Sequence, residues 1–272
     1  MTRRATTLTA LACFGVLVLA GLIAPEHQSP PQPDRAYAGP LAMLPFGADQ
    51  RGRPLLEYAL QGARIVMGPS LAAGAAVAGL AIVGGVARCT ANAAADTTIQ
   101  LFGEIVGSLP RMVVLLVVAL VLPTGLRGLL PLALTLAILA APGAMDEAGA
   151  VAQRLGGARF VEALRAHGFT WSRIFLYHVV ALNLRPVVVR QAAETMMAVG
   201  FLELALSYLS LQENQPSLTH PDSLRSWADL LQLGYPSLIL PVPTGHALAL
   251  GLGLAGSLTL IARLATAAAR AR

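Results

Sequence analysis

The chain has 272 residues, 56% of them hydrophobic and only 12% charged, with a net charge of +5. That balance excludes an intrinsically disordered chain and argues against an ordinary soluble globule. All 19 basic residues are Arg and there is no Lys, which excludes a Walker-type phosphate loop and a Lys Schiff base; the scattering of the Arg residues along the chain argues against a nucleic-acid surface.

A mean hydropathy of +0.66 fits a chain that spends most of its length in lipid. At about 20 residues per crossing, the length accommodates six spans with loops to spare. The expected fold is therefore all-α and polytopic, with about six transmembrane helices. An N-terminal helix and external loop occupy residues 1–65, and a transmembrane domain occupies residues 66–272.

Residues 1–7 are short, polar and basic, and residues 8–24 are apolar without interruption. The pattern is close to a secretory signal. An uncleaved first span is the reading preferred here, because the rest of the chain is membrane-like and needs an anchor of defined orientation. Residues 25–45, rich in Pro, Gln and Asp, read as an extended loop. The second span, 66–87, is built from Gly and Ala, with Ser70, Gly74 and Ala78 on one stripe that suits close helix approach. The third span falls in 101–123, with Glu104 and Arg111 near its start. A tight turn at 124–128 leads to the fourth, 129–144. Residues 145–185 form the longest polar stretch, Arg-rich and helical in spacing. The fifth span is 186–211, a polar loop covers 212–232, and the sixth span is roughly 237–264.

With the N-terminus inside and six alternations, Arg3, Arg4, Arg88, Arg111, Arg154, Arg159, Arg165, Arg173, Arg185, Arg190, Arg263, Arg270 and Arg272 fall on the cytoplasmic side. Arg35, Arg51, Arg53, Arg64, Arg127 and Arg225 fall outside. Positive charge collects on the cytoplasmic side of membrane proteins, so both termini are expected there.

Most chemical motifs are empty. Gly251–Leu–Gly–Leu–Ala–Gly256 matches the dinucleotide fingerprint letter by letter, but it lies in an apolar run with no preceding strand. Gly245, Ala249, Gly253 and Ser257 read instead as a helix-packing stripe. Cys13 and Cys89 have no CxxC spacing, and the His residues have no partner at i+4 to make a metal motif. No Ser-His-Asp set is assignable. Neither a cofactor nor a metal is expected. Glu203 is an ionisable residue inside a span, costly unless it faces the bundle interior; it is a candidate for the translocation path. Arg190 and Glu194, one turn apart, can pair.

The informative segment is 162–186, EALRAHGFTWSRIFLYHVVALNLRP. Glu162 and Ala163 begin a short helix, Gly168 permits a break with positive φ, and a second amphipathic stretch follows. Ile174, Phe175 and Val179 are expected to face a partner's groove, with Arg165 and Arg173 on the rim.

At these residues the chain resembles the permease subunits of ABC importers, specifically the dipeptide/oligopeptide/nickel type. Glu162, Ala163, Gly168, Ile174, His178 and Pro186 follow the family's cytoplasmic Glu-Ala-Ala motif, with Leu164 in place of the second Ala and Ala181 where Pro is common. Phe46–Gly47–Ala48–Asp49, Gly52–Arg53 and Gly62–Ala63–Arg64 resemble the family's external stretch. Glu203, Ser207–Tyr208–Leu209 and Ser226–Trp227 resemble the end of its fifth span and the following loop, where the family's glycines become Ser210 and Gln212. The resemblance covers about 44–264.

The resemblance implies a transport subunit rather than an enzyme, placed in the bacterial plasma membrane, with ATP hydrolysed by other chains. Expected partners are a second, homologous permease chain, two ATP-binding subunits at the cytoplasmic face, and an extracytoplasmic solute-binding protein docking near 44–64 and 212–232. Glu162, Ala163, Gly168, Ile174 and His178 would form the ATPase contact. The cargo would be a peptide, with nickel or a metal chelate as the variant. The rival from another class is a secondary transporter or membrane enzyme, which calls for charge networks in several spans; an exporter or degenerate subunit is a third alternative.

Overall fold

The computed structural model describes residues 3–89, 93–123, 128–155, 158–208 and 225–270. The expected turn at 124–128 lies outside them except for Gly128, as do Leu209, Ser210, Gln212 and most of the polar loop after the fifth expected span. The described residues form an all-α protein without a strand, apart from an isolated antiparallel bridge between Ala48 and Pro54. In chain order the α-helices are α1 (Arg3–Leu22), α2 (Leu55–Ala87), α3 (Ala93–Gly107), α4 (Arg111–Val121), α5 (Leu129–Arg154), α6 (Ala158–Ala166), α7 (Arg185–Tyr208), α8 (Trp227–Gly234) and α9 (Gly245–Arg270). A π-helix, Arg173–Leu184, runs directly into α7.

Helix α2 is the central column. Its small residues let three helices approach closely, the kind of packing that holds helices together where burial of apolar area drives nothing. Ser70 donates to the Met196 carbonyl oxygen at 3.3 Å, and Gly74 lies against Met196 of α7. A Cβ at Gly84 would come within 2.6 Å of Met145 in α5, and one at Gly85 within 2.4 Å of Leu184. These pairings set directions. Residue 84 meets 145 and 88 meets 149, so α5 runs parallel to α2; 85 meets 184 and 74 meets 196, so α7 runs antiparallel to it. The helix begins at Leu55, before the expected start at residue 66, because the polar first turns are buried under the preceding loop rather than left outside. Ala78 is only half-buried, and the tightest contacts lie further along, at Gly84 and Gly85.

Three helices are long and apolar enough to cross a membrane, α2, α5 and α9; a fourth crossing results if α3 and α4, bent by 77° at their break, count as one. Apolar side chains on these helices face outward, among them Leu116, Val117, Leu120, Ile138, Leu252 and Leu260. The length and composition are compatible with a membrane location. Three of the six expected spans differ: α1, α7, and the third, which is broken into the bent α3–α4 pair. In α1 the apolar part is short, Leu8–Leu22. Helix α7 has the length, at 24 residues, but carries Arg185, Arg190, Glu194 and Glu203. The bend between α3 and α4 falls at Pro110, whose ring cannot donate the helical hydrogen bond.

The α9 stripe is a correction. Gly245, Ala249 and Gly253 are exposed, and nothing lies within 4 Å of a Cβ placed on Gly253. The packing stripe is instead Ala247, Gly251, Ala255 and Leu258, because α8 crosses α9 there: Gly251 sits against Leu231, and Gly234 of α8 against Leu248. The fingerprint-like glycines lie inside this helix.

The two ends of the bundle are unlike. One gathers the loop 25–54, the starts of α2 and α9, the end of α7, and α8. The other gathers the ends of α2, α5 and α9, the start of α7, α6 and the π-helix, and with them most of the arginines among the described residues.

Candidate functional site

Helix α6 is short and strongly amphipathic. It stops at Gly168, whose φ of +82° is the left-handed conformation that glycine adopts without a Cβ penalty. The Gly168 N–H donates to the Arg165 carbonyl at 2.8 Å and the Phe169 N–H to the Leu164 carbonyl at 3.2 Å. This pair of bonds is a Schellman cap, completed by partial burial of Leu164 and Phe169 against the core. The cap turns the chain sharply, and the π-helix returns toward the bundle.

Aromatic rings lock the corner. Phe169 meets the His178 ring edge-on at 5.2 Å, and the Arg173 guanidinium lies 5.0 Å from the Phe169 centroid. Trp171 stacks on Phe175 at 5.4 Å, with the Arg165 guanidinium 4.6 Å from the Trp171 ring. Cation–π pairs of this kind contribute about 0.5–1 kcal/mol at exposed sites. At the far end of the π-helix, the Asn183 side chain donates to the His178 carbonyl at 2.6 Å.

The residues expected to make a contact divide into three sets. Glu162, Ala163 and Gly168 are exposed at the tip. Ile174 and Val179 are fully buried and pack in this chain's own core, so neither offers its side chain to a partner's groove. His178 is half-buried, and its Nε2 is buried with no hydrogen bond among the described residues. The outward face carries Trp171, Leu176 and Tyr177 instead, each at least half exposed. The sequence signal of Leu176 and Tyr177, apolar and aromatic residues between the buried positions, is visible once Ile174 and Val179 are assigned inward.

Beside this corner the arginine-rich end is cross-braced. Arg88 at the end of α2 pairs with Asp96 of α3 at 2.7 Å. Glu147 of α5 accepts from Arg190, and from the Gln191 side chain at 2.7 Å, both on α7. Arg190 also reaches Glu194 at 3.5 Å. The expected i,i+4 pair is therefore present, but its shared guanidinium also ties α7 to α5.

At the opposite end, Asp49 organises the loop. It is buried, accepts from the backbone N–H groups of Arg51 and Arg53 at 2.7 and 2.8 Å, and takes the Tyr58 hydroxyl at 2.7 Å. Gln61 bridges two segments, donating to the Pro25 carbonyl and accepting from the Arg225 N–H. Trp227 is fully buried and donates from Nε1 to the Ala59 carbonyl at 3.0 Å. Gly62 makes room for it, since a Cβ there would lie 2.2 Å from the ring. Arg64 pairs with Glu26 at 3.0 Å and holds that exposed carboxyl below the usual range.

Glu203 lies near this end of α7, fully buried. One carboxylate oxygen accepts from Ser207 at 2.9 Å, and the other has no hydrogen-bond partner among the described residues. It lies enclosed within this chain, not on an open channel surface. No group of three or more His, Cys, Asp or Glu with metal-holding geometry occurs among the described residues. Comparison with known proteins gives no matching family model and no matching characterised relative.

Proposed function

We propose that this chain is the membrane-spanning permease subunit of an ATP-driven importer. In this reading it crosses the bacterial plasma membrane six times, with α1, the bent α3–α4 pair and α7 as spans and both termini in the cytoplasm. The observation that carries the reading is the tip of α6: Glu162, Ala163 and Gly168 are accessible, at the arginine-rich end, on a corner fixed by a glycine cap and stacked rings. A surface of that kind suits contact with a soluble motor, and a chain without Lys carries no P-loop of its own.

The mechanical consequence follows from connectivity. Closure of two partner ATPases on ATP would push α6. The push would pass through the π-helix into α7 without an intervening loop, and from α7 to α5 through Arg190 and Glu147. Such a cycle is a rigid-body switch between two states, driven by ATP's preference for one of them. A second permease chain would complete the pathway, and a solute-binding protein would deliver cargo to the opposite end. By the weight of the resemblance the cargo is a peptide, with nickel or a metal chelate as the variant.

In this reading Glu203, buried in the structure, would line the pathway in the other state. A Glu203→Gln chain that transports at the full rate removes it from that role. The primary test is co-purification from native membranes. Recovery of an ATP-hydrolysing subunit, lost when Glu162 and Gly168 are both substituted, is the expected result. Transport that persists at full rate with no ATPase present would overturn the reading.

A further inference from the structure

A cleft of about 370 Å³ opens on the flank of the bundle between α1, α7 and α9. Phe14, Ser70, Met196, Leu258 and Ala269 are among the residues that line it, together with Arg185, which is exposed. The lining is almost wholly apolar; Arg185 is its one charged group.

The dimensions suit one class of occupant. From Arg185 to Met196 the cleft follows α7 for about 17 Å at 1.5 Å per residue, and from Leu258 to Ala269 it follows α9 for the same distance. Half of a bilayer's hydrocarbon core is about 15 Å. The cleft is therefore one leaflet deep, closed near mid-membrane by Ser70 and Met196, with a guanidinium where a headgroup would lie. Arg185 is exposed and forms no ion pair among those found in the described residues.

We infer that this cleft holds one anionic phospholipid of the leaflet at the arginine-rich end, an acyl chain lying between α1, α7 and α9 and the headgroup phosphate on Arg185. Basic clefts between transmembrane helices on the cytoplasmic side recognise anionic headgroups in this way. The inference needs the chain to span a membrane but does not depend on the importer reading. A bound lipid would fill the gap that keeps α1 from packing directly on α7, and so would set where α7 can move.

The test is native mass spectrometry of the full chain, released from nanodiscs of equal phosphatidylglycerol and phosphatidylcholine. The wild type is expected to retain one phospholipid, with phosphatidylglycerol preferred about fivefold, the worth of one basic residue at an anionic surface. Arg185→Gln should bring the preference to parity while a lipid still binds. Ala193→Phe, which fills the cleft from α7, should reduce retained lipid at least tenfold. Should that variant fail to fold, a photoreactive phosphatidylglycerol added to the wild type must label α1, α7 and α9 peptides along the cleft. A wild type free of lipid, a preference unchanged in Arg185→Gln, or labelling confined to other helices would overturn the inference.

Discussion

Replacing Gly168 isolates the corner from everything around it. A Cβ at this position meets nothing within 4 Å, so substitution brings no steric clash. The cost is purely conformational: a left-handed φ of +82° is disfavoured by roughly 1–2 kcal/mol for an L-residue other than Gly or Asn. That is a factor of roughly 5–30 in the population of the capped corner. The bonds from Gly168 to Arg165 and from Phe169 to Leu164 would be lost together, freeing α6 from the angle at which Phe169 meets His178. Reconstituted with its ATPases in proteoliposomes, the series Gly168→Asn, Gly168→Ala and Gly168→Val should show transport falling in that order. ATP hydrolysis would continue without cargo movement, and the melting temperature would fall by no more than the few degrees that about 1–2 kcal/mol corresponds to. A Gly168→Val chain that transports like the wild type would refute the reasoning; so would a loss of transport matched by an equal loss of folded protein.

Gly62→Ala places a methyl group 2.2 Å from the Trp227 ring and should cost about 1–3 kcal/mol, seen as a lower melting temperature and altered tryptophan fluorescence. Tyr58→Phe removes the hydroxyl that Asp49 accepts and should cost about 1.5–3 kcal/mol in the same melting assay, with the larger effect if the loop 25–54 loosens. For Arg190 and Glu147, a double-mutant cycle with alanine should give a coupling energy of about 1 kcal/mol; a value near zero would show that α5 and α7 are held together by packing alone.

Much of the element order is legible in the sequence. Long apolar runs mark α2, α5 and α9, and Gly168 marks the end of α6. What sequence reasoning missed depends on distant partners. Glu147 and Arg190 stand 43 residues apart, so only the packing of α5 on α7 reveals that the expected Arg190–Glu194 pair is part of a larger brace. Ile174 and Val179 have the same apolar character as Leu176 and Tyr177, and local spacing alone does not decide which pair turns inward; the π-helix, with its own side-chain angles, does. The packing stripe of α9 differs from the expected one for a related reason. Small residues recur on two faces of that helix, and the position of α8 selects the face with Gly251. The buried anchor Asp49 does lie in a segment singled out by its sequence, yet the bond to Tyr58 and the docking of Trp227 beside Gly62 emerge only when the loop closes over α2.

The most direct measurement concerns the tip of α6. With Cys13 and Cys89 replaced by Ser, a single Ala163→Cys chain, exposed at that tip, should form a disulfide with a cysteine introduced into the cleft of the co-expressed ATPase, and ATP should change the yield. If no ATPase cysteine captures Ala163→Cys while the same residue is labelled by a membrane-confined reagent, the corner lies in lipid and the importer account fails.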